Sequence, residues 1–190
     1  APAPSAAPTD AELALYEDLV LYLLYDRHAA HRFPAVLAEE ERIGRPPRLP
    51  FYDEFLRDAR RLLEPPGRRL GAAADLPHIF ACFFQIRRAF HHIFAHLVGG
   101  SMPAARLRAA AWQSIFTYDM RRYRRTLYSR MGEFATLVVG PSGTGKELVA
   151  RAIGLARYIP FDARAQVFSE GAAGSFHALN LSALTPTLIE

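Results

Sequence analysis

Apolar side chains recur at helical spacing through much of the chain. The spacing predicts helices over residues 11–31, 51–64, 76–98 and 103–116. Thr9 or Asp10 stands where the N-cap of the first helix is expected, and the Phe-rich third helix stops at Gly99 and Gly100. We therefore expect a disordered Ala/Pro tail over residues 1–10, followed by an all-helical module over residues 11–97.

The hydrophobic pattern changes after residue 130. Residues 134–139 (FATLVV) form a short run of β-favouring residues, which predicts a buried strand. Helical spacing resumes over residues 147–157, a second strand is predicted over 176–181, and residues 186–190 begin what reads as another helix. The order strand, glycine loop, helix, strand is typical of an α/β unit.

A glycine-rich segment joins the predicted strand to the predicted helix. Its pattern is G-x-x-x-x-G-K, and the candidate nucleotide-binding residues are Gly140, Pro141, Ser142, Gly143, Thr144, Gly145, Lys146 and Glu147. Glycines allow positive φ angles, successive amides then face one anion, and the helix adds the positive end of its dipole. The alternative interpretation is a glycine turn with no ligand.

The lysine of this segment stands out in the composition. Of the 23 basic residues, 22 are arginine and one is Lys146. Lysine presents a compact point charge, whereas arginine presents a planar fork, so a site that places an ammonium between phosphate oxygens does not simply accept arginine. Glu147 follows the lysine where Ser or Thr usually supplies a hydroxyl to Mg²⁺, and Thr144 is the nearest hydroxyl in the loop.

The segment GPSGTGKELVARAIG, residues 140–154, closely resembles the Walker A motif of bacterial enhancer-binding proteins, the AAA+ ATPases that activate sigma-54 RNA polymerase. Glu after the lysine is usual in that family. Residues 176–190 (FHALNLSALTPTLIE) resemble its second strand and the helix after it, and residues 97–102 (LVGGSM) resemble the segment that opens its AAA+ domain. The intervals at 103–133 and 158–175 are longer than usual, and the first 96 residues match no family that we can name.

The resemblance implies a fold, ligands and partners. The fold would be α/β, with the helical module acting as a regulatory unit ahead of the beginning of a P-loop AAA+ domain over residues 98–190. The ligands would be ATP and Mg²⁺, with Val98 and Gly99 as possible adenine contacts. The intact parent would form a homo-oligomeric ring and couple ATP hydrolysis to remodelling of RNA polymerase carrying sigma-54, in the cytoplasm.

Several parts of the family's catalytic machinery are not found in this sequence. Hydrolysis needs carboxylates that hold Mg²⁺ and orient water, and usually an arginine supplied in trans. Walker B, sensor and arginine-finger elements, the GAFTGA loop and a helix-turn-helix are all missing, so we expect no catalytic residues in this chain. One alternative is a helical protein-interaction module with an inactive or truncated phosphate loop; a small phosphate-loop kinase is a third.

The remaining composition adds expectations of a different kind. The net charge is +4, and no apolar run approaches the roughly 20 residues that cross a bilayer, so a membrane partner is not expected. The single cysteine, Cys82, lies in an apolar stripe and favours a buried thiol in a reducing compartment. The Arg-rich segment 120–130 allows three interpretations: direct DNA binding, an exposed helix face or a subunit contact. His92 and His96 lack a third ligand, so no metal is expected.

Overall fold

The computed structural model describes residues 7–40, 46–171 and 176–179. The helices are α1 Asp10–Arg27, α2 Ala29–Glu40, α3 Tyr52–Leu63, α4 Leu76–His96, α5 Met102–Phe116, α6 Met120–Arg122 and α7 Lys146–Leu155. A π-helical turn, Tyr123–Leu127, continues α6, and 3-10 turns cover Gly71–Ala74 and Met131–Glu133. The strands are β1 Phe161–Asp162 and β2 Val167–Phe168. The fold is mostly helical, which confirms the coarse prediction of a helical module.

The helix starts follow from short polar side chains. Thr9 caps α1: its hydroxyl accepts a hydrogen bond from the amide of Glu12, whose carboxylate accepts one from the amide of Thr9. Asp75 caps α4 and Ser101 caps α5 in the same way, by accepting from backbone amides three residues ahead. The predicted helices at 51–64, 76–98 and 103–116 are confirmed to within two residues at each end.

The first predicted helix is wrong in one respect, because the structure breaks it at His28. The His28 ring is fully buried, lies edge-on to Phe55 at 5.8 Å, and places Nε2 3.3 Å from a carboxylate oxygen of Asp58. Helix α2 then begins at Ala29 and runs through Pro34, a position that the sequence pattern did not assign to a helix.

Two hydrophobic cores share helix α4. The first contains buried residues of α1 to α4 together with Ile159, Phe161 and Phe168. Its centre is Phe80, whose ring lies 4.6 Å from that of Phe161 and 5.0 Å from that of Tyr52. The second contains the later part of α4 with α5, the π-helical turn and α7. Both cores therefore draw residues from each side of the predicted boundary at residue 97, and the division into two domains stays a prediction.

The predicted strand over residues 134–139 is wrong. These residues run without strand hydrogen bonding, and Leu137 and Val139 are 86% and 79% exposed. A strand needs a hydrogen-bonded neighbour, and within the described residues none lies beside this segment. Residues 176–179, the described part of the predicted second strand, are also not in a strand. Residues 180–181 of that strand and the predicted helix at 186–190 lie outside the described residues, so the start of an AAA+ domain is not confirmed.

The described sheet instead forms within the segment predicted as an enlarged connection, residues 158–175. It is an antiparallel hairpin that pairs Phe161 with Phe168 and Asp162 with Val167. The Asp162 carboxylate accepts hydrogen bonds from the amides of Arg164 and Ala165, which fixes the turn. Among the described residues, no helix is both long enough and apolar enough to cross a membrane.

Candidate functional site

Helix α7 fixes the position of the glycine loop, residues 140–147. Val149, Ala152 and Leu155 are buried on one face of α7, at helical spacing. That face packs against α4 and α5, so the helix that follows the loop is held by the second core. The loop itself is exposed, and only Gly145 and Lys146 are half-buried. The core therefore orients the start of α7 while leaving the loop open to solvent.

Two glycines give the loop its shape. Gly143 has φ +77° and Gly145 has φ +82°, both in the left-handed region that disfavours other residues. A Cβ placed on Gly143 would meet no atom within 4 Å, so the requirement at Gly143 is backbone conformation and not space. Gly145 is the N-cap residue of α7 and makes no side-chain cap.

Lys146 is the first residue of α7, and its side chain turns back over the loop. Its Nζ donates hydrogen bonds to the carbonyl oxygens of Gly140, at 3.0 Å, and Pro141, at 2.7 Å. The Thr144 hydroxyl donates to the same Pro141 oxygen at 2.8 Å. The ammonium is thus placed within the curve of the loop, on the side where the helix begins.

The start of α7 also offers backbone donors. The amides of Leu148 and Val149 bond to the Gly145 carbonyl, at 3.0 and 3.4 Å. Within the described part of the chain, the amides of residues 143–147 donate to no protein acceptor, and free amides are usual where a helix begins. These amides, the positive end of the helix dipole and one ammonium favour an anion with several oxygens.

The residues fit a phosphate tail better than they fit a protein-held metal. The Thr144 hydroxyl is engaged with Pro141, which leaves the exposed carboxylate of Glu147 as the loop's anionic oxygen donor. Among the described residues, no three His, Cys, Asp or Glu side chains cluster as metal ligands. Mg²⁺ in nucleotide sites usually keeps several waters and takes one or two carboxylates with substrate phosphates, so Glu147 is the residue that could hold it here.

The predicted adenine contacts lie in the turn between α4 and α5. Val98 is 81% exposed, and the Gly99 carbonyl accepts a hydrogen bond of 2.8 Å from Nη1 of Arg108. The same nitrogen donates to the Leu97 carbonyl at 2.9 Å. Within the described ranges no hydrogen bond joins Val98 or Gly99 to the glycine loop, so their contact with a base stays a prediction.

A buried hydrogen-bond chain reaches the other end of α7, and sequence reasoning missed it. The Tyr123 hydroxyl donates to Oε1 of Gln85 at 2.8 Å, and Nε2 of Gln85 donates to the Ala156 carbonyl at 3.1 Å. Gln85 and Tyr123 are each 1% exposed. A Gln inside the Phe-rich stripe of α4 was the signal that could have identified a buried polar contact.

The Arg-rich segment is largely engaged with acidic residues of α1. Arg124 lies 2.7 Å from the buried carboxylate of Glu17, and Arg125 lies 3.8 Å from it. Arg121 forms an ion pair with Asp18. Three of the arginines singled out from the sequence therefore hold α1 against the segment after α5 within the chain, a role that the sequence analysis did not predict.

Cys82 is buried, as the sequence predicted. Desolvation raises the pKa of its thiol to about 12. Sγ lies 3.5 Å from Nε2 of His78, whose own nitrogens lie 2.9 Å from the Tyr158 hydroxyl and 2.7 Å from the Arg124 carbonyl oxygen. A thiol held protonated in this setting is not a nucleophile.

The two histidines considered as metal ligands in the sequence lie side by side on α4. The rings of His92 and His96 stack, with 5.9 Å between their centres.

Comparison of the chain with family models, curated proteins and solved structures found no match.

Proposed function

We propose that the chain binds the triphosphate tail of ATP at the glycine loop. One observation carries the proposal. Lys146 is the first residue of α7, and its ammonium lies 2.7 and 3.0 Å from the carbonyl oxygens of Pro141 and Gly140, in a loop where Gly143 and Gly145 adopt left-handed backbone conformations. A bound phosphate would compete with these carbonyls for the ammonium and add the amides of residues 143–147 as donors. Bound Mg²⁺ would neutralise part of the phosphate charge.

The protein context that we propose rests on the sequence resemblance. The chain would be part of an ATP-binding transcription regulator of the sigma-54 activator type, acting in a homo-oligomeric ring on RNA polymerase. The helical module would be its regulatory unit, because α7 packs against α4 and any movement of α4 would reach the loop-bearing helix. We assign no role in ATP hydrolysis to any of the described residues.

Nucleotide titration tests the binding step. Calorimetry with ATP and Mg²⁺ is expected to give one site per chain for the unaltered protein and at least tenfold weaker binding for Lys146→Ala. Arg151→Ala is the matched control, because it removes an exposed positive charge from the same helix, away from the loop. Equal binding by the Lys146→Ala variant and the unaltered protein would contradict the proposal.

A second candidate is a helical protein-interaction module whose glycine loop binds no nucleotide. It is favoured by the exposure of large apolar residues on α1, where Leu15, Leu19 and Tyr22 are 59%, 60% and 70% exposed. Absence of ATP binding, together with loss of a protein partner on Leu15→Ser and Leu19→Ser substitution, would select this candidate.

A further inference from the structure

A cavity of about 460 Å³ lies between α1, α4 and the segment that runs from the end of α5 into the π-helical turn. Its volume falls in the range of small-molecule sites in proteins. The inner wall is formed by Tyr25 of α1, Phe83 and Ile86 of α4, and Phe116 and Tyr123. This cavity is separate from the glycine loop, none of whose residues lines it.

The inner wall is apolar and held in place by its own packing. Phe116 is fully buried, Phe83 is 5% exposed, and the Tyr25 ring lies edge-on to Phe83 at 5.6 Å. Arg32 does not line the cavity, but its guanidinium stacks on Tyr25 at 4.2 Å from the ring centre. The hydroxyl of Tyr123 already donates a hydrogen bond to Gln85. Tyr123 therefore presents its ring to the cavity, and not a free hydrogen-bond donor.

Each of the three charged residues that line the cavity, Asp18, Arg121 and Arg124, has an ion-pair partner. Arg121 is bonded to Asp18, and Arg124 to Glu17. Asp18 and Arg121 expose 40% and 47% of their side chains, whereas Phe83, Phe116 and Tyr123 of the inner wall are buried, so the ion pair lies at the rim. Because each positive charge already has a carboxylate, the cavity offers no unpaired charge to a ligand.

The residues at the rim of the cavity favour a compact ligand over a helical peptide. The Asp18–Arg121 ion pair joins α1 to α6 at the rim, and this pair would have to break for a helix to enter between them. Tyr22, Phe90 and Met120 complete the rim, and they are 70%, 41% and 37% exposed. These side chains could cover a small molecule without separating the helices.

We propose that this cavity is a binding site for one neutral, apolar, aromatic small molecule. The aromatic rings give edge and face contacts to a flat ligand, and burial of apolar surface supplies the driving force. A cavity lined in this way holds water poorly, since water needs two or more polar partners to remain there. A charged ligand would be disfavoured, since the rim charges are already satisfied by each other.

The neutral fluorescent probe N-phenyl-1-naphthylamine tests the site in the full chain. Titration is expected to give saturable binding of one probe per chain. Met120→Trp places a larger side chain at the rim and is expected to weaken binding at least tenfold. Leu107→Trp is the matched control, because Leu107 is 42% exposed on α5 and does not line the cavity. Both variants change a surface position, and their circular dichroism is expected to equal that of the unaltered protein.

A second variant at the rim gives an independent readout, because Tyr22 lines the cavity from α1 and is 70% exposed. Tyr22→Ala removes one of the rings that would cover the probe and is expected to weaken probe binding at least threefold, whereas Tyr118→Ala, at an exposed position that does not line the cavity, is expected to leave binding unchanged. Three results would overturn the proposal: no saturable binding, equal loss of binding in both Trp variants, or a Tyr22→Ala variant that binds the probe as tightly as the unaltered protein does. Loss of probe binding only after Leu15→Ser and Leu19→Ser substitution would assign the probe to the exposed face of α1 and would also overturn it.

Discussion

The side-chain amide of Gln85 donates a hydrogen bond of 3.1 Å to the carbonyl of Ala156, at the C-terminal end of α7. Gln85 lies in the middle of α4, so this bond joins the central helix of the fold to the helix that carries the glycine loop. The same side chain accepts from the Tyr123 hydroxyl, and all three residues are buried. One amide therefore satisfies a donor and an acceptor that water cannot reach.

Gln85→Leu is expected to lower the free energy of unfolding by roughly 1–3 kcal/mol, because it leaves the Ala156 carbonyl and the Tyr123 hydroxyl buried without partners. Urea unfolding followed by circular dichroism measures the change. Tyr123→Phe removes one bond of the same chain and is expected to cost about 1 kcal/mol. Tyr118→Phe is the control, since Tyr118 is 87% exposed, and a loss as large as that of Tyr123→Phe would contradict the argument.

Two adjacent carboxylates of α1 allow a buried ion pair to be compared with an exposed one. Glu17 is 5% exposed and accepts from the Ala72 amide at 3.0 Å as well as from Arg124, so Glu17→Gln is expected to cost about 2–3 kcal/mol. Asp18→Asn breaks the exposed pair with Arg121 and is expected to cost at most about 1 kcal/mol. Equal losses in urea unfolding would show that burial of Glu17 does not strengthen its contacts.

Acid is expected to destabilise the fold through two histidines. Burial lowers the pKa of His28, against the opposing effect of Asp58, and burial also lowers the pKa of His78. Below about pH 6.5 the unfolded chain therefore binds protons that the folded chain does not, and stability is lost as the pH falls. Each histidine contributes a slope of up to about 1.4 kcal/mol per pH unit.

Urea unfolding between pH 7.5 and 5.5 measures this slope. His28→Gln and His78→Gln are each expected to flatten it, whereas the exposed His177→Gln is expected to leave it unchanged. An unchanged slope in both buried variants would assign the acid sensitivity to other groups.

Helical spacing in the sequence predicted α3, α4, α5 and α7. The glycine segment precedes α7, as predicted, whereas nucleotide binding by this segment stays a prediction. Thr9, one of the two caps proposed for the first helix, does cap α1, and the Phe-rich stripe of α4 contributes to both cores. The break at His28 was not predictable in this way, because it depends on Phe55 and Asp58, which are distant in sequence.

Most of the features that the sequence did not predict depend on contacts between residues that are distant in sequence. The strand predicted at 134–139 has the right composition, but a strand is defined by its partner, and composition does not supply one. The Gln85–Ala156 hydrogen bond and the Glu17–Arg124 ion pair join residues separated by 71 and 107 positions, respectively. At the candidate site, the residue types and their spacing were readable, whereas the turn of Lys146 back onto the loop needed the structure.

A crystal structure of the chain with a non-hydrolysable ATP analogue and Mg²⁺ tests the central claim most directly. The account predicts phosphate oxygens within hydrogen-bond distance of the amides of residues 143–147, with the Lys146 ammonium turned from the Gly140 and Pro141 carbonyls to the phosphates. A loop that keeps its lysine on those carbonyls, with the analogue bound elsewhere or not at all, would contradict it.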